Sequence, residues 1–396
     1  MTSAPTSEPN RAPRFAVFAL GFRPFFLLAA GYAVVMMGLW LATLLGVLSG
    51  PVRGSSLDWH AHEMIFGVMG AVVAGFLLTA VRNWTQLPTP QGTPLALMTV
   101  LWLAGRASPW LDTVPAAVCA LADTAFLATV LIAIAGPIVK TRQRQNYQFI
   151  AMLAVLLICH VLVTLGTFDL RAGPTRPAML AAVYALVWML VAMGGRVIPF
   201  FTERRIAGFL ARRRAWLDLA AIVTVIVAGL SLAWEELRIV SGALLLSAAA
   251  LNAWRWLGWQ TPKLWQVPLL WVLHLGYLWL VLGLALHGVA QFQPWLTGAA
   301  LHLLSVGGIV ALALGMMARV SLGHTGRPLE LGRPMVVALG MIFTSALVRV
   351  LAPFVFPDLT PIWLLGSGLL WMLAFGVFFV VYLPLLLAPR ADGQPG

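Results

Sequence analysis

The sequence predicts an all-α integral membrane protein, a bundle of about twelve transmembrane helices with both termini cytoplasmic. Two observations carry this reading. Of 396 residues, 61% are hydrophobic and only 10% charged, too little charge for a soluble domain of that length. Mean hydropathy is +0.92, and the chain holds 17 Trp and 36 Gly, residues that collect at bilayer interfaces and inside membrane helices. A soluble enzyme, a nucleic-acid binder and a secreted disulfide scaffold are excluded together.

The elements follow in order from the rule that a helix needs roughly 20 apolar residues to cross the hydrocarbon core. Residues 1–14, with Pro5, Pro9 and Pro13, read as a disordered polar tail. The apolar stretch after them is too long for a signal peptide and lacks its cleavage pattern, so no processing is expected. The first spans are 24–48, 62–81 and 95–111, the third weakened by Gly105, Arg106 and Pro109 at its end. Spans 115–138 and 149–168 flank the basic turn of Lys140, Arg142 and Arg144, and 178–200 runs into the most basic loop, 201–215. Six more follow at 216–234, 239–257, 268–288, 298–318, 335–354 and 361–387, before a tail at 391–396. This makes one polytopic domain, 15–390, with six spans on each side of loop 201–215 and no sequence repeat between the halves. Continuous apolar runs of this length do not suit alternating barrel strands.

With the amino terminus inside, 18 Lys and Arg fall in inner segments and six in outer ones, Arg53, Arg106, Arg171, Arg176, Arg238 and Arg349. That positive-inside bias supports an even number of spans and cytoplasmic termini. The net charge of +12 therefore describes loops rather than a nucleic-acid surface. Cys119 and Cys159 lie in apolar spans, which supports neither disulfides nor a thiolate zinc site.

Mechanism in a membrane protein is usually carried by ionisable groups inside the spans, and here these are mostly histidines. The topology puts His60, His62, His287 and His302 near one membrane face, His160 deeper on the fifth span, His274 in the inner half of the ninth and His324 in a cytoplasmic loop. Neutral imidazole is the commonest metal ligand and is cheaper to bury than a charge. Four imidazoles at one level make a metal-site hypothesis, while a single one more often bonds helix to helix. Trp59-His60-Ala61-His62-Glu63-Met64 is the densest chemistry in the chain. If the helix has begun by His60, then His60 and Glu63 share a face, and His62 points elsewhere. One face could then hold a ligand and its orienting carboxylate, or the pair could simply cap and hydrate the helix start. His-Ala-His-Glu is not a zinc-protease spacing. His274 and Tyr277 are neighbours at i, i+3. Arg196 and Arg319, with Glu203 nearby, sit at inner span ends, where they could snorkel or pair with an anionic cofactor group. Met316 and Met317 read as packing before copper ligation.

The motifs Gly21-Phe22-Arg23-Pro24-Phe25-Phe26, Trp59 to Gly67, Ala74 to Val81 with Asn83-Trp84-Thr85, Gly195-Arg196-Val197-Ile198-Pro199-Phe200-Phe201-Thr202, and Met316 to Pro328 together resemble the NnrS family. They run from the first span to the tenth, and length and span number agree over the whole chain. The resemblance implies a bacterial inner-membrane protein of the nitric oxide response that contains haem, taken as b-type, and copper. By motif it carries over to His60, His62, Glu63, His302, Arg196, Arg319 and His324, and less firmly to His274 with Tyr277; His160 and His287 lie outside the motifs.

The resulting expectation is a haem and copper protein whose metals are bound by imidazoles of spans two, nine and ten. The metal ligands are drawn from His60, His62, His274, His302 and His324, and the cofactor is also contacted by Arg196, Arg319 and Tyr277. Two metals would offer nitric oxide a place to be reduced, given two electrons from an unknown donor and two protons. Glu63 is the expected proton donor, since no other carboxylate is placed beside the histidines. Nitric oxide and the lipid bilayer are the expected partners. Twelve spans also suit a secondary transporter of a metabolite or metal complex, although carboxylates inside spans are few, chiefly Glu63 and Asp123. A nitric oxide sensor is a third reading.

Overall fold

A computed structural model describes residues 15–171 and 173–394, and the predicted tail at 1–14 lies outside the described residues, as do the last two residues of the tail at 391–396. Twelve helices occupy the twelve predicted segments, and no strand occurs among the described residues. They are α1 (Phe22–Leu44), α2 (Ser56–Thr85), α3 (Thr93–Ala107), α4 (Ala116–Lys140), α5 (Tyr147–Thr167) and α6 (Thr175–Arg205). The second half holds α7 (Ala215–Ser231), α8 (Arg238–Leu257), α9 (Pro268–Ala290), α10 (Pro294–His324), α11 (Arg333–Val355) and α12 (Thr360–Leu387). Ten of these helical segments are long and apolar enough to cross a membrane, which makes this a multi-pass membrane protein. The other two, α3 and α7, have 15 and 17 residues.

The first and last helices close on each other. Arg23, buried in the first turn of α1, donates from Nη1 to the carbonyls of Leu386 (3.0 Å) and Ala388 (2.7 Å) at the end of α12. The helix termini thus receive a cation where carbonyls lack intrahelical partners.

Two helices are locally widened. In α2 the stretch Glu63–Val68, and in α10 the stretch Leu303–Val310, wind as π-helix, each beginning directly after a histidine, His62 and His302. Such segments leave carbonyls short of partners and are frequent at functional sites. In α2 one of these carbonyls, Gly67 O, is taken by the Trp102 indole at 3.1 Å. In α10 the widened turn packs tightly on α9. A Cβ on Gly283 would lie 2.6 Å from Leu304 Cα, and one on Gly308 would lie 2.9 Å from Leu280 Cα. Small residues here let two backbones approach as membrane helix pairs do.

The start of α2 is fixed by Ser55, whose hydroxyl accepts from the Asp58 N–H at 3.0 Å, a side-chain N-cap. This sets the register of the histidines that follow.

Candidate metal centre

The start of α2 does not show the expected facing of the His60–Glu63 segment. His62 and Glu63, adjacent in sequence, both point inward and bond to each other, His62 Nδ1 to Glu63 Oε1 at 3.0 Å. His60 instead stacks on Trp40, with ring centroids 4.4 Å apart. The expectation that His60 and Glu63 share a face while His62 points away is therefore corrected. The expectation that Glu63 is the sole carboxylate beside the histidines is also corrected, because Asp123 of α4 is present.

Around this turn lies a buried polar cluster drawn from five helices. Tyr32 of α1 donates its hydroxyl to Glu63 Oε2 at 2.7 Å. Arg106 of α3 donates to Glu63 Oε2 at 2.6 Å with Nη1 and to Asp123 Oδ1 with Nη2. His62 Nε2 lies 3.2 Å from Asp123 Oδ2, and His160 Nε2 of α5 lies 3.4 Å from the same oxygen. His160 Nδ1 faces the hydroxyls of Thr164 (3.3 Å) and Thr124 (3.4 Å). The rings of His62, Phe66 and His160 pack on one another. Two glycines make room. A Cβ on Gly67 would meet Glu63 Oε2 at 2.6 Å and Arg106 Nη1 at 2.7 Å, and a Cβ on Gly105 would strike Asp123 Oδ1.

The fit to a metal ion rests on Asp123 Oδ2. It is buried and has no aligned hydrogen bond, although two imidazole nitrogens stand at ion-pair distance. One ring nitrogen from each of His62 and His160 and a carboxylate oxygen of Asp123 all lie within 4.8 Å of one another. Ligand atoms bound at about 2.1 Å to one ion stand roughly 3–3.5 Å apart, and the two nitrogen-to-Asp123 Oδ2 distances, 3.2 and 3.4 Å, fall in that range. His62 also shows the pattern of a metal-binding imidazole, with its other ring nitrogen held by a carboxylate.

Charge counting agrees. Glu63 and Asp123 contribute two negative charges and Arg106 one positive. With neutral imidazoles the cluster keeps one uncompensated negative charge in a buried site, which is costly. A bound cation or a proton on one imidazole offsets it.

The other expected residues are placed elsewhere. His274 is engaged at both ring nitrogens, Nδ1 with Gln260 Nε2 (3.0 Å) and Nε2 with the Thr202 hydroxyl (2.9 Å). Tyr277 faces a second buried network, bonding Asn252 Oδ1 (2.5 Å) and Arg255 Nη1 (3.1 Å), with Arg255 also paired to Asp218 (2.8 Å). His287 pairs with the Tyr184 hydroxyl at 2.7 Å. The four histidines expected at one face therefore do not form one ligand set. His302 donates from Nδ1 to Gly298 O at 2.7 Å, which leaves Nε2 free, and it lies within electrostatic reach of His60 and Arg349. Arg196 caps Asn146 and Gln145 O, Arg319 lies over Phe201 at 3.6 Å, and His324 leans on Phe22 at 5.6 Å.

Three cluster members carry no expected site role in the sequence. Arg106 counts there as an outer-segment charge at the end of the third span, His160 lies outside the motifs, and Tyr32 has no motif of its own. Their signal was present as ionisable or hydroxyl groups inside apolar helices, but only packing brings them together.

A bundle of membrane helices enclosing a buried imidazole–carboxylate cluster defines a multi-pass membrane protein with a candidate metal centre. The NnrS protein family model matches residues 16–390, nearly the whole chain, and the protein belongs to that family. No curated protein matches the sequence.

Proposed function

We propose that the protein acts in the nitric oxide response as a metal-dependent protein of the bacterial inner membrane. In this reading α3 and α7 also cross the bilayer and both termini are cytoplasmic. Its metal ion is held by His62 Nε2, His160 Nε2 and Asp123 Oδ2. The observation that carries the proposal is the buried Asp123 Oδ2, without an aligned hydrogen bond and faced by two imidazole nitrogens. Copper suits this donor set and is the ion the family resemblance implies. When bound, it supplies a redox-active centre at which nitric oxide can be reduced, with electrons from a separate donor.

The chain's own residues prepare that chemistry. Glu63 holds His62 Nδ1 and so fixes which nitrogen faces Asp123. Arg106 bridges Glu63 and Asp123, keeping both carboxylates oriented and offsetting their charge. The Tyr32 hydroxyl on Glu63 extends the hydrogen-bonded chain by which a proton moves between Tyr32, Glu63 and His62. Haem, the other group implied by the resemblance, finds its best-prepared imidazole in His302, whose Nδ1 is already committed to Gly298 O.

The test is metal analysis with optical and electron paramagnetic resonance spectra of the detergent-purified protein, before and after reduction and nitric oxide. Asp123→Asn and His160→Ala should lower copper content at least tenfold and remove any copper signal that nitric oxide perturbs. Full copper content in both folded variants would remove this centre from the reading.

A further inference from the structure

On the opposite end of the bundle from the cluster, the loop between α6 and α7 folds over the end of α8. The Arg212 N–H donates to Gly258 O at 2.9 Å, and a Cβ on Gly258 would meet Arg212 O at 2.7 Å. Between loop and helix lies a pocket of about 600 Å³, whose lining includes Arg212, Arg214, Trp254, Gln260, Leu210 and Leu257. That volume matches a ligand of moderate size rather than a water or two.

The pocket has two chemically different parts. Arg212 and Arg214 provide cations without a carboxylate partner among the described residues. The nearby acids are already committed, Glu203 to Arg213 (2.5 Å) and Asp218 to Arg255 (2.8 Å). The other part is apolar and outward-facing, with Leu210 83% and Leu257 63% exposed. Trp216 and Trp254, edge to face at 5.4 Å and both exposed, mark the level of the bilayer interface, where indoles collect. Arg214 lies over the Trp254 ring at 5.3 Å, which pre-positions its guanidinium.

We propose that this pocket binds an anionic phospholipid. Its phosphate is held by Arg212 and Arg214, and an acyl chain runs along Leu210 and Leu257 into the hydrocarbon. Guanidinium groups suit phosphate oxygens, and basic pockets at the ends of membrane helices take acidic headgroups. A soluble anion would use the arginines but gain nothing from the exposed leucines.

The test is native mass spectrometry of the full chain in detergent, titrated with phosphatidylglycerol, phosphatidylcholine or inorganic phosphate. Wild type should bind phosphatidylglycerol at least tenfold more tightly than phosphatidylcholine. The double variant Arg212→Gln with Arg214→Gln should lose that preference. Lys140→Ala with Arg144→Ala, which removes equal charge from the loop between α4 and α5, should keep it. Circular dichroism melting of each variant separates loss of binding from loss of fold, and the single variant Arg212→Gln serves if the double does not fold. Equal loss in the Lys140 and Arg144 control would overturn the proposal. So would displacement of the lipid by millimolar inorganic phosphate, which would make the site a simple anion site.

Discussion

His62 Nε2 faces Asp123 Oδ2 at 3.2 Å, with both side chains buried and their helices joined by Arg106, which reaches the carboxylates on each. A glutamate on the far side of the imidazole holds it there. The arrangement gives one carboxylate the task of orienting, while the other keeps a buried oxygen without an aligned hydrogen bond.

Removing Arg106 should unfold the cluster. Arg106→Ala leaves Glu63 and Asp123 buried without their cation, a change that costs about 3–5 kcal/mol. Arg106→Lys should recover only part of this, since an ammonium cannot bridge two carboxylates as a planar guanidinium does. Thermal melting in detergent checks both, and an unchanged melting temperature for Arg106→Ala would contradict the bridge.

Gly67→Ala should damage the site without touching a donor atom. The added methyl group meets Glu63 Oε2 and Arg106 Nη1 at 2.6 and 2.7 Å, so one of them must move. The expected outcome is a several-fold loss of bound metal with the helical content retained, read by metal analysis beside circular dichroism.

His274 and His302 should behave differently. His274 has both ring nitrogens bonded to Gln260 and Thr202, so His274→Ala should keep the metals. It should lose about 1–3 kcal/mol of stability through the unsatisfied partners. On the proposed assignment of haem to His302, His302→Ala should instead lose the Soret band. A Soret band that vanishes in His274→Ala and persists in His302→Ala would reverse the assignment.

Tyr277→Phe probes the second buried network. The phenol bonds Asn252 and Arg255, and its removal leaves groups buried around Arg255 short of a partner. A loss of about 1–3 kcal/mol is expected, with copper content unchanged because this network is separate from His62, Asp123 and His160. Copper loss in a folded Tyr277→Phe protein would show that the two are coupled.

Much of the protein is legible in its sequence. Apolar runs broken by Arg, Pro and Gly determine the helices, because a chain in lipid must satisfy its backbone bonds within each span. The motif around His60, His62 and Glu63 likewise marks where chemistry gathers. The sequence could not determine which of these side chains face one another. Helical periodicity relates residues of one helix only, and it does not show that His62 and Glu63, adjacent in sequence, bond to each other and both meet groups from neighbouring helices. Asp123, His160, Arg106 and Tyr32 come from four other helices, and no spacing along the chain encodes their meeting. Tertiary packing decided it, because two buried carboxylates are tolerable only where cations and hydrogen-bond donors from neighbouring helices converge on them.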